Sequence, residues 1–275
     1  MNASATKDLP IGVFDSGVGG LTVLKAIRSL LPYEHLVYLG DTARLPYGTK
    51  SPASISRYAC QATAQLQKND IKLLVVACNT ASAVALEALR EQMHPLPVIG
   101  VVEPGAAAAV AARPAARHLV LATEATVQLG AYRKALLDKD PAATVTELAC
   151  ELLVSLAEEG WNDGAIAEAI VRRYLAGLDV AVRSPDSVIL GCTHFPLLRD
   201  TFAKVFDDGV SIVDSASTTA IAARDLLDSL ALANEREEVG TLRLLATDGA
   251  TRFARVGGQF LGEDLSYRDV TLVDL

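Results

Sequence analysis

Short apolar runs alternate along this chain with longer stretches whose apolar residues recur at helical spacing. That alternation predicts α/β layers built on mostly parallel sheets. Residues 11–14 read as a strand, and Leu21, Leu24, Ile27 and Leu31 place a helix over 21–31. Strands follow at 36–39, 73–77 and 98–102. Ser51-Pro52 pairs an N-cap with a proline at the first helical position, opening a helix that runs to about residue 68. The next helix covers 81–92. A second series repeats the pattern, with strands at 119–122, 145–148 and 187–190 and helices over 125–137, 151–159 and 166–175. The last part predicts a strand at 212–213, a helix at 218–230, and strands at 241–246 and 270–273.

One internal similarity changes the picture. Segment 73–80, Leu-Leu-Val-Val-Ala-Cys-Asn-Thr, and segment 187–194, Ser-Val-Ile-Leu-Gly-Cys-Thr-His, share one design. Each is an apolar strand, a small residue, a cysteine and two polar residues. Open α/β sheets bind ligands beyond the carboxyl ends of their strands. Cys78 and Cys192 both fall at such ends. The expected architecture is therefore two pseudo-symmetric, mostly parallel-sheet α/β domains with the active site between them.

Composition narrows the function. With 51% hydrophobic and 21% charged residues, the chain is globular rather than disordered. A net charge of −8 argues against nucleic acid or an anionic membrane as the main partner, since both need a basic footprint. Residues 1–10 lack the basic-then-apolar pattern of a signal peptide. The best membrane candidate, 96–112, is short and is interrupted by Glu103, Pro104 and Gly105. It reads instead as a buried strand leading into an alanine-rich helix. Four cysteines are too sparse for a disulfide framework, so a cytoplasmic setting with reduced thiols is expected. Cys60 and Cys150 lack the strand-end context and read as structural. His35, His94 and His118 lie near prolines, charges or helix ends and read as surface residues.

Two thiols facing one crevice suit a reaction that strips a proton from one face of a carbon and returns one to the other. A thiol's reference pKa of ~8.5 lets each act as thiolate base or thiol acid. The α-proton of an amino acid is very weakly acidic, so such a site must exclude water and hold the carboxylates with preorganised donors. Asp15, ending the first strand, is placed to assist one thiol, and His194 the other. Ser16, Asn79, Thr80 and Thr193 offer donors at strand-to-helix turns. The turn Gly17-Val18-Gly19-Gly20 is neither a P-loop nor a dinucleotide fingerprint. Cys192-x-His194 with Cys78 lacks the paired spacing of a zinc site, so no metal is expected.

At these residues the chain resembles the glutamate racemases of the aspartate/glutamate racemase superfamily. The segments that carry the resemblance are Ile11-Gly-Val-Phe-Asp-Ser-Gly-Val-Gly-Gly20, Gly40-Asp-Thr-Ala-Arg-Leu-Pro-Tyr-Gly48, Val76-Ala-Cys-Asn-Thr-Ala81, Glu103-Pro104-Gly105 and Val188-Ile-Leu-Gly-Cys-Thr-His-Phe-Pro-Leu-Leu198. The resemblance implies a cofactor-independent isomerase that supplies D-glutamate for cell-wall peptidoglycan. It implies Cys78 as the base toward D-glutamate and Cys192 as the base toward L-glutamate, helped by Asp15 and His194. Substrate contacts carry over to Asp15, Ser16, Tyr47, Gly48, Asn79, Thr80, Thr123, Thr193 and His194. It further implies a homo-oligomer, commonly a dimer, and a tail after Asp214 that folds back, so that residues 1–102 and 214–275 make up the first domain and 103–213 the second. Glu151 and Ser155 stand where the family usually has proline, and Leu129 where it often has serine.

Three other readings remain open at this point. The chain could racemise aspartate or a hydantoin. It could be an amidohydrolase with Cys192 as nucleophile and His194 as base. It could also be a non-catalytic binder on the same scaffold.

Overall fold

The computed structural model describes residues 6–275. Residues 1–5 of the polar N-terminal stretch lie outside the described residues. The chain first lays down β1 (Ile11–Asp15), β2 (Leu36–Gly40), β3 (Leu73–Val76) and β4 (Val98–Gly100). Between them run α1 (Leu21–Leu30), α2 (Pro52–Gln67) and α3 (Asn79–Met93). After α4 (Val102–Ala112) come β5 (Arg117–Ala122), α5 (Glu124–Leu129), α6 (Ala131–Lys139) and β6 (Thr144–Ala149). They are followed by α7 (Glu151–Glu158), α8 (Gly164–Leu175), α9 (Val180–Arg183) and β7 (Ser187–Gly191), then α10 (Arg199–Val205) and β8 (Ser211–Asp214). The chain ends with α11 (Ser215–Ser229), β9 (Leu242–Ala246), α12 (Ala250–Leu261) and β10 (Val270–Leu272).

The strands form two parallel sheets. One has the order β10-β9-β2-β1-β3-β4 and the other β6-β5-β7-β8. Each set of four strands is laid down in the same spatial order, second-first-third-fourth. In both, the chain moves to one side of its first strand and then returns to the other. The tail adds β9 to the free edge of β2, with Leu36 opposite Leu242.

Both faces of each sheet are covered, which is why β1, β2, β3 and β7 are buried along their whole length. Ile11, Val13 and Tyr38 pack toward α1, α11 and α12, while Phe14, Leu39 and Leu74 pack toward α2 and α3. In the second sheet Leu119, Leu121 and Leu190 meet α7, α8 and α10. Val120, Ala122 and Ile189 meet α4 and α6. The alternation along each strand therefore separates two cores rather than core from water. Among the described residues, no helix is long and apolar enough to cross a membrane.

Several expectations need correction. The helix expected over 125–137 is two helices, because Gly130 adopts φ +59° and ends α5 with a left-handed cap. The strand expected to reach residue 102 stops at Gly100, and Val102 already begins α4. Helix α12 was not anticipated. Gly257 and Gly258 interrupt its propensity, yet Phe253, Val256 and Phe260 bury against the first sheet, so packing outweighs the local preference. His118 is not a surface residue: it sits buried in β5 with neither ring nitrogen hydrogen-bonded, and burial pulls its pKa down. His94 is exposed and His35 only half so.

At the amino ends of the strands, Lys72 and Glu34 form an ion pair buried beneath the first sheet. Lys72 also donates to the carbonyls of Lys7 at 2.6 Å and Leu232 at 2.9 Å, tying the N-terminal segment and the loop after α11 to this point. Breaking a buried pair from one side leaves an uncompensated charge. Lys72→Met is therefore expected to cost about 3–5 kcal/mol in urea unfolding. A loss under ~1 kcal/mol would show that water reaches Glu34 after all.

Candidate active site

Where a parallel sheet reverses its strand order, helices leave neighbouring strand ends on opposite faces and a crevice opens between them. The first sheet reverses between β1 and β3. Ser16 follows β1, and Cys78 follows β3 as the N-cap of α3, its sulfur accepting from the Ala81 amide at 3.4 Å. The second sheet reverses between β5 and β7, where Thr123 and Cys192 follow the corresponding strands. The two crevices face each other. Cys78 and Cys192 line one narrow cavity of about 60 Å³, together with Ser16, Tyr47, Gly48, Asn79, Thr80, Thr123, Thr193 and His194.

All the expected site residues except Asp15 line this cavity. Asp15 stands one layer behind. Its Oδ2 accepts from the Gly17 amide at 2.8 Å, while its buried Oδ1 has no hydrogen-bond partner. Burial lifts the Asp15 carboxyl above its ordinary range, against the opposing charge of His194. Tyr47 contributes its ring, but its hydroxyl donates to Asp41, which Arg44 and Thr247 also hold.

The two sulfurs have different surroundings. Cys78 lies 3.5 Å from the Ser16 hydroxyl. Burial, reinforced by the negative charge of Asp15, pushes its thiol up to about 12. Cys192 lies 3.7 Å from Nδ1 of His194. The other ring nitrogen of His194, Nε2, is 3.2 Å from Glu158, whose second oxygen accepts from Arg252 at 2.7 Å. Burial opposes a charge on His194, but Cys192 and Glu158 outweigh it and raise its pKa to about 10. An imidazolium is thus favoured here when Cys192 carries a negative charge.

Hydrogen bonds stitch the rim shut. Thr80 from the first sheet meets Thr123 at 2.9 Å and Thr126 at 3.4 Å from the second. The Gly48 carbonyl accepts from the Ala125 amide at 3.1 Å. Thr22 donates to the Thr193 carbonyl at 2.9 Å. Asn79 accepts from Tyr132 at 2.6 Å. Gly19 passes so close that a Cβ there would stand 2.3 Å from Oγ1 of Thr193, so only glycine permits this contact. A cavity this small is well below the ~300 Å³ of ordinary ligand sites.

Sequence reasoning did not place Arg252, Tyr132 or Thr126 at the site. A signal existed for α7. Glu151, Val154 and Glu158 recur at helical spacing and face the cavity, while Leu153, Leu156 and Ala157 face the core. Glu151 is thus a lining residue, its carboxylate accepting from the Glu124 amide. Ser155 and Leu129, the other departures from the family pattern, are exposed. Cys150 is buried in the second core, and Cys60 is half-buried on α2. Among the described residues, no group of three or more His, Cys, Asp and Glu side chains could hold a metal ion.

Two parallel α/β layers, each delivering a thiol from its reversal point into one shared cavity, define a class of protein suited to moving protons on and off a bound carbon acid. The chain belongs to the Asp/Glu/hydantoin racemase family, whose model matches residues 11–223. A glutamate racemase from Geobacter metallireducens is 47% identical over 265 residues, covering 96% of each chain. The crystal structure of a glutamate racemase from Francisella tularensis in complex with D-glutamate superposes with a TM-score of 0.89 at 35% identity, covering 98% of both chains. A glutamate racemase isoform from Bacillus anthracis gives a TM-score of 0.90 at 36% identity, again covering 98% of both.

A thiol lifted this far is mostly protonated at neutral pH, and its thiolate fraction grows tenfold per pH unit until the pKa is reached. Iodoacetamide labelling of Cys78 in the free protein, followed by peptide mass mapping, should accelerate steadily from pH 7 to 10. A plateau below pH 9 would contradict the desolvated environment described for that sulfur.

Proposed function

We propose that this chain interconverts L- and D-glutamate by two-base proton transfer between Cys78 and Cys192, without a cofactor. The observation that carries this reading is the shared cavity: two thiols from equivalent strand ends of the two sheets open into one enclosed space. A planar carbanion is attacked from opposite faces with equal ease, so a group on each side makes the reaction symmetric. In one direction Cys192 as thiolate removes the α-proton of L-glutamate while the Cys78 thiol delivers its own proton to the other face. The protonation states of the two sulfurs are then exchanged, and D-glutamate reacts by the reverse path.

The surroundings support this chemistry. A thiolate at Cys78, once formed in a dry site beside Asp15, is a strong base, as the weakly acidic α-proton demands. The His194 imidazolium supplies a counter-charge to Cys192 whenever that sulfur is negative. Ser16, Asn79, Thr80, Thr123 and Thr193 sit at strand ends and helix starts, where amide and hydroxyl donors hold carboxylates. Gly48 and Tyr47 complete the wall from the first sheet. Exclusion of water strengthens each of these contacts as charge moves onto the substrate. The resemblance and the four free cysteines support a cytoplasmic reaction that feeds cell-wall peptidoglycan, carried out by a homodimer. Glutamate as substrate is supported by the relatives' names and by the D-glutamate bound in one of them.

Cys78→Ser and Cys192→Ser should each slow racemisation of glutamate at least 10²-fold, the scale set by loss of a positioned acid or base. Circular dichroism follows both the reaction and the fold, which should remain intact. Full activity in Cys78→Ser, with ammonia released from an amide substrate, would instead favour the amidohydrolase. Faster turnover of aspartate than of glutamate would move the substrate assignment.

A further inference from the structure

The two thiols are equivalent in topology but not in support. Cys78 is contacted by Ser16 and by the Ala81 amide, both close to it in the first sheet. Cys192 stands at the end of a chain of side chains, Cys192–His194–Glu158–Arg252, that begins in the second sheet and ends on α12 of the first. Each member of that chain fixes the next through a different atom. Arg252 takes Oε2 of Glu158, which leaves Oε1 for Nε2 of His194 and turns Nδ1 toward the sulfur.

We propose that Arg252 is a positioning residue for the Cys192 half of the reaction, holding Glu158, and through it His194, in the geometry that serves this sulfur. The inference rests on the racemase reading above. Glu158 and His194 are largely enclosed, with 17% and 12% of their side chains exposed, whereas Arg252 is 53% exposed. An ion pair with so exposed a cation contributes little to stability, so its value lies in orientation. A carboxylate with one oxygen anchored cannot swing away from the imidazole. Arg255, one turn along α12, also acts on Glu158 through its charge. Its presence means that removing Arg252 takes away the contact while leaving positive charge nearby. Since α12 packs on the first sheet and α7 on the second, the same contact assembles only when the two halves are together.

The test uses substrates labelled with deuterium at the α-carbon. Because the enantiomers have equal energy in water, any variant must lower kcat/KM equally in both directions. The label nevertheless distinguishes the steps: in L-glutamate it reports on proton removal by Cys192, and in D-glutamate on removal by Cys78. Arg252→Met should lower kcat/KM about tenfold, the scale seen when a group orienting a functional histidine is lost. The isotope effect should rise with labelled L-glutamate and fall with labelled D-glutamate, while the melting temperature stays unchanged. Arg252→Lys, which keeps a donor, should recover part of the rate. Wild-type kinetics in Arg252→Met, isotope effects that move together, or no recovery with lysine would overturn the proposal. Failure of the racemase reading is distinct, because wild-type protein would then racemise neither labelled substrate.

Discussion

The site depends on desolvation held in balance. In the proposed two-base reaction both sulfurs are buried, yet each carries a negative charge in turn. Burial alone would oppose this, as the lifted thiol of Cys78 shows. The fold places Cys78 at a strand end as the N-cap of α3, where the helix dipole favours an anion, and Cys192 just past β7 beside the His194 imidazole. The rest of the structure follows from bringing two such ends face to face. The repeated second-first-third-fourth strand order creates two equivalent reversal points, and the threonine contacts across the rim close the space between them.

The two halves solve the charge problem differently. Around Cys78 the nearest carboxyl is Asp15, itself lifted by burial and with one oxygen lacking a partner. Around Cys192 the charge of an imidazolium is favoured by Cys192 and Glu158 against the cost of burying it. A pseudo-symmetric fold therefore carries an asymmetric electrostatic environment. The proposed reaction, symmetric in outcome, thus has one relatively bare sulfur and one backed by an ion-pair chain.

Much of this was legible in the sequence for a physical reason. Strands buried on both faces read as continuous apolar runs, and the residues that follow such runs are the ones a parallel sheet offers to a ligand. Cys78 and Cys192 therefore declared themselves by position, as did Ser16 and Thr193. What depended on tertiary packing stayed hidden. Glu158 and Arg252 lie 94 residues apart, and only the docking of α12 near α7 joins them. Helix α12 itself was obscured by paired glycines. His118 looked like a surface residue because the charged Arg117 precedes it and Pro114 lies close by, although its own side chain is buried in β5.

The central claim is that different groups act on the two faces of one carbon. Turnover of unlabelled L-glutamate in deuterium oxide, sampled early and read by mass spectrometry of each separated enantiomer, tests it most directly. The account predicts D-glutamate carrying solvent deuterium at the α-carbon while the remaining L-glutamate keeps its protium. D-glutamate that retains the original proton, returned by the same group that removed it, would contradict it.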